Sequence, residues 1–183
     1  MSLRDLATPI ALATLAVTLT LPVPAIADPQ PGRALPAVSV SDLGGTRHTE
    51  RDLRGQWTIA FTMTDKDVGP GLSAWWRQIE GRVPARTRML SFVALDLFAL
   101  VPTATVLSQA REATPRGSWH TVWFSRDGSF AEQLGLPESE TPWVFVIDPT
   151  GRVVESIHAD VDAAGVARVL SAVGARNAAS AAP

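Results

Sequence analysis

The sequence predicts a mixed α/β sandwich built on one sheet. Three apolar, β-rich runs carry that reading: Trp57–Thr62, Met89–Leu95 and Trp143–Asp148. Runs of that length without polar alternation are the mark of strands buried on both faces. Between them lie segments with apolar residues at helical spacing, and a Pro149-Thr150-Gly151 turn joins the last run to another β-rich stretch.

The elements follow in order. Val38 and Val40 alternate with polar neighbours, as in a short strand, and Asp42-Leu43-Gly44-Gly45 makes a turn. Leu53-Arg54-Gly55 leads into the strand at Trp57. A loop from Met63 to Gly69 carries Asp65, Lys66 and Asp67; Pro70 then suits an early helical position. Leu72, Trp75, Trp76 and Ile79 form one apolar helical face. Thr103–Ala113 reads as a helix with Val106, Leu107 and Ala110 on one side. Thr121–Phe124 is a third core strand, with His120 placed at its start beside Trp119 and Trp123, and Arg126-Asp127-Gly128 turns the chain out of it. Ser129–Leu134 is a short helix closed by Gly135. The strand from Trp143 and the run Arg152–Ile157 form a hairpin, and a final helix spans Ala163–Val173.

Composition sets the outer bounds. A hydrophobic content of 46% is that of a globular chain, and a net charge of -2 gives no support for nucleic-acid binding. Residues 1–27 read as a secretory signal: Arg4, an apolar stretch from Ile10 to Leu21, Pro22 and Pro24, then Ala25-Ile26-Ala27 as a cleavage site. The expected product is a periplasmic or secreted protein with no stable membrane span after cleavage. Residues 28–35 read as a linker, 36–176 as the domain and 177–183 as a disordered tail. Arginine far outnumbers lysine (Lys66 alone), a bias of GC-rich bacteria.

The chain resembles the thioredoxin-like superfamily, nearest to peroxiredoxins and periplasmic thiol-disulfide reductases. Leu35–Gly45 with Leu53-Arg54-Gly55, the Trp57–Thr62 strand with its loop and helix, and Asp127 through Val153 carry the likeness. It implies a three-layer sandwich with an N-terminal β-hairpin extension and a C-terminal β-hairpin plus helix. It also implies that Thr141–Pro142 is cis and that Pro142 sits beside the redox loop. Val68-Gly69-Pro70-Gly71 stands where such reductases carry two cysteines flanking Gly-Pro. The chain has no cysteine in 183 residues. Thiol-disulfide exchange and thiol peroxidase chemistry both require a thiolate nucleophile, so neither is available to this chain.

What the resemblance leaves is a site without its nucleophile. No catalytic residue, metal ligand or cofactor is expected. The reading is a binding module whose partner is an extended peptide or a periplasmic protein. Its contacts are the loop and helix start (Asp65, Asp67, Val68, Gly69, Pro70, Gly71) and the Thr141-Pro142-Trp143 segment, with Trp75 and Trp76 as possible groove aromatics. Two alternatives stand beside it: a metal- or anion-dependent enzyme using Asp65 and Asp67, with or without His120, and an accessory subunit of a redox partner. Plainer roles compete at each place. The acidic loop suits helix capping, the tryptophans suit core packing, and His158–Asp162 suits the N-cap of the last helix.

Overall fold

The structure, a computed structural model, describes residues 29–97 and 102–180, and the backbone alone for 175–180. The expected signal segment lies outside the described residues. Seven strands form one sheet: β1 (Ser39–Asp42), β2 (Arg47–Thr49), β3 (Thr58–Met63), β4 (Arg88–Ala94), β5 (Val122–Ser125), β6 (Trp143–Ile147) and β7 (Val153–His158). Their order is β2-β1-β5-β4-β3-β6-β7. β3, β4 and β5 are parallel, while the β1–β2 hairpin joins β5 and the β6–β7 hairpin joins β3 antiparallel.

The burial of β6 shows why these runs become central strands. All five of its residues are buried, and alternate side chains enter opposite cores. Trp143, Phe145 and Ile147 join one cluster with Phe92, Trp123 and Phe130. Val144 and Val146 join the other with Trp75, Ile79 and Val169. Helices α1 (Gly69–Ile79) and α4 (Ala163–Ser180) cover the second face, and α3 (Ser129–Leu134) covers the first. The three-layer sandwich is therefore as expected.

Helix α2 (Thr103–Ala113) has the expected ends but buries none of its residues. It is tied to the β1–β2 turn by Arg111 Nε, which donates to the Leu43 carbonyl at 2.7 Å.

Three expectations are corrected. The supposed linker is bound to β7: Gly32 N–H donates to Val153 O, Val153 N–H to Arg33 O, and Leu35 is buried. Backbone pairing at a sheet edge outweighs the looseness that Pro31 and Gly32 suggest. The final helix runs on to Ser180, through part of the expected tail, because Ala-rich sequence favours continuation over unwinding. His120 is not in a strand. It lies exposed in a 3-10 turn, Arg116–Thr121, and β5 begins two residues later at Val122.

Candidate functional site

The C-terminal end of β3 delivers the chain to the site. Thr64 is buried there, and Asp65 caps a 3-10 turn, Lys66–Val68, its carboxylate accepting from Asp67 N–H at 2.7 Å. Asp67 pairs with Lys66 at 2.6 Å on the surface. Both acidic residues are thus engaged locally. His120 precedes β5, at the opposite end of the parallel strands. Among the described residues no group of three or more histidines and carboxylates is placed to hold a metal. His120 therefore does not share a site with Asp65 and Asp67.

Helix α1 begins at Gly69, with Pro70 in its first turn and no side chain capping its leading amides. These N–H groups and the positive end of the helix dipole are what the sequence pattern preserves. Val68 does not share that exposure. It is buried in the α1/α4-side core, where it fills space under the helix start. Gly71 faces the other wall: a Cβ built on it would stand 3.5 Å from Pro142 and 3.7 Å from Asp160. The helix start and the Pro142 segment are therefore neighbours, as the resemblance implies.

The Thr141–Pro142 bond itself is trans; no described peptide bond is cis. Trans is the lower-energy state of an X–Pro bond by about 0.5–1 kcal/mol, and cis is kept only where its surroundings impose it. Here the preceding loop closes on itself. Ser139 N–H donates to Thr64 Oγ1 at 3.0 Å, and Thr141 N–H donates to Ser139 Oγ at 3.1 Å. The amide of Thr141 is thus already paired within the chain.

The aromatic residues are placed differently from expectation. Trp75 is fully buried, its indole N–H donating to Ala159 O at 3.0 Å, so it is core and not groove. Trp76 is half-buried against Phe61. Trp143 is buried on the α3 side, with His158 stacked on its indole at 3.6 Å and 3°. It forms the floor under His158 and does not line an open wall. Large indoles go where they remove most apolar area from water, and each core takes two: Trp123 and Trp143 on the α3 side, Trp57 and Trp75 on the α1/α4 side.

Sequence reasoning missed the polar chain that crosses this floor: Thr64, Ser139 and His158. Ser139 Oγ and His158 Nε2 share a hydrogen bond at 2.8 Å. His158 Nδ1 has no protein partner among the described residues, so the pair lacks the third group that orients a histidine base in a nucleophilic triad. No spacing signal marks Ser139, and His158 stood in a segment whose capping role is genuine: Asp162 Oδ1 accepts from Gly165 N–H at 2.6 Å at the start of α4. Beneath the floor, Thr62 Oγ1 and Trp143 Nε1 sit at paired positions of β3 and β6, both buried without a hydrogen-bond partner.

No family model and no curated protein matches this chain. Solved structures do. The exposed lipoprotein thioredoxin of Streptococcus pneumoniae aligns over 74% of this chain and 98% of its own at 12% identity and a TM-score of 0.54. A protein of Chlorobium tepidum, described as a thiol:disulfide interchange protein, aligns over 80% and 100% at 16% identity and a TM-score of 0.54. Yeast Sco1 aligns over 83% and 98% at 14% identity and a TM-score of 0.54. These likenesses show the fold. The chain is a cysteine-free thioredoxin-like α/β sandwich, and among the described residues no helix is long and apolar enough to cross a membrane.

Proposed function

We propose that this chain is an exported, non-redox binding module that receives an extended segment of a peptide or a protein partner. The binding face is the start of α1 together with the Ser139–Pro142 loop. The observation that carries this is the nearness of Gly71 to Pro142, where a Cβ on Gly71 would stand 3.5 Å from the proline ring, in a chain with no cysteine. The start of α1 has no side-chain cap, and Ser139, His158 and Asp160 supply a polar rim. Recognition by Thr141 N–H is not part of the proposal, because that donor is already engaged. The exposed lipoprotein thioredoxin among the structural neighbours agrees with an exported location.

Selection of unstructured peptides from a random library, followed by retesting on Gly71→Leu, tests the reading. Gly71 has ordinary backbone geometry, so a leucine fits the helix while its side chain fills the space toward Pro142. Binding should fall at least tenfold with far-ultraviolet circular dichroism unchanged. Equal binding to both proteins would contradict it.

A further inference from the structure

The opposite end of the sheet holds a second feature. β3, β4 and β5 run parallel, so Arg88 at the start of β4 lies far from Met63, which leads into the α1 site. Around Arg88 a cavity of about 430 Å³ opens between β2, the approach to β4 and the 3-10 turn before β5. No carboxylate lines it. Arg86, Arg88 and His120 supply cationic or donor groups, and Leu90 and Trp123 close the apolar side. A volume of this size suits a small organic ligand.

The charges in this cavity are not cancelled on its walls. Arg88 is half-buried, and its guanidinium bonds go to neutral oxygens: the Asp52 carbonyl at 2.7 Å, and the Gln56 side-chain oxygen once that amide faces it. Burial lowers its pKa from the usual value, opposed by the negative charge of Asp52. Arg86 is exposed and has no ion pair among the described residues. His48 is committed elsewhere. Its Nε2 meets Asp42 at 3.0 Å, its Nδ1 lies 3.9 Å from Asp52, and its ring stacks on Trp123 at 4.8 Å and 7°. It therefore walls the site without adding free charge. Thr87 Oγ1, also in the wall, is buried with no hydrogen-bond partner.

We propose that this cavity binds a small organic anion through its oxyanion head, held by Arg86 and by the Arg88 N–H groups not used by Asp52 and Gln56, with His120 completing the donors. Guanidinium N–H groups donate to carboxylate and phosphate oxygens alike, so the two head groups are separate arms of the test. The proposal does not depend on the binding face at α1.

The chain has three histidines, and they give a direct readout. His48 and His120 line the cavity, whereas His158 lies at the other end and serves as an internal control. Succinate, glycerol 3-phosphate and, as a cationic control, ethanolamine are titrated at fixed pH and ionic strength while the imidazole proton signals are followed by NMR. Saturable shifts of His48 and His120 with a static His158, at a Kd below about 1 mM for either anion, are the expected result. Whichever anion binds names the head group. Arg86→Gln, an exposed change, should weaken that binding roughly tenfold. Uniform or non-saturating shifts of all three histidines, equal response to ethanolamine, or unchanged affinity in Arg86→Gln would overturn the proposal.

Discussion

Asp42 shows how a single buried carboxylate is kept charged. Burial works against its ionised form, but the hydrogen bond from His48, the N–H of Thr46 at 2.9 Å, attraction to His48 and the N–H of Gly44 outweigh that and hold its pKa below the usual carboxylate value. The unfolded chain then binds the proton more readily than the folded one. Stability from this contact is fully present above the unfolded pKa of about 3.9 and disappears as pH falls through the folded value. Asp42→Asn should flatten the acid limb of the stability–pH curve, followed by urea melts from about pH 2 to 6. An unchanged acid limb would show that the contact contributes nothing. Thr62 makes the opposite case. Its hydroxyl is buried and unpartnered beside the equally unpartnered indole N–H of Trp143. Valine has nearly the same shape without the polar atom, so Thr62→Val should stabilise the fold by about 1 kcal/mol. A clear loss of stability in thermal melts would mean that these atoms are satisfied by something bound between them.

At the scale of elements, α1 and α4 approach closely at Gly165. A Cβ at Gly165 would come within 2.6 Å of the Trp75 indole, whose N–H is in turn fixed on Ala159 O. The glycine is there so that the helix can approach a fully buried tryptophan. Gly165→Ala should cost about 1–3 kcal/mol through overpacking, although alanine is the better helix former. Stability equal to or above the parent in chemical denaturation would refute that packing. The elements most legible in the sequence are those with local punctuation. α3 begins after Gly128 and ends at Gly135, both in left-handed conformation, and its predicted ends match. α2 also has its predicted ends, yet its apolar face stays half-exposed, because periodicity gives a face and not what covers it. His120 was misplaced for a related reason: an aromatic neighbourhood mimics a strand, while the backbone there makes a 3-10 turn. Residues 29–35 carry turn-forming composition, and only the presence of β7 alongside turns them into a bound edge.

Across the whole molecule, the fold class and the order of elements along the chain were readable because the central strands β3 and β6 are nearly continuous apolar runs. The site was readable only in part. Gly71 and Pro142 do meet, as the resemblance implies, since both are fixed by the ends of regular elements. The isomer of Pro142, the burial of Val68 and Trp143, and the Thr64–Ser139–His158 chain depend on loop closure, which leaves no periodic trace in sequence. The helix start and the Pro142 segment stand side by side over a floor of hydroxyl, imidazole and indole groups. The most direct test of the claim that this face binds a partner is photocrosslinking in the native cell from two exposed positions. One is Glu140, beside the Pro142 loop, and the other is Arg116, at the far end of the sheet. Discrete adducts from a photoreactive residue at 140, and none at 116, are predicted. Adducts from 116 alone would contradict the account.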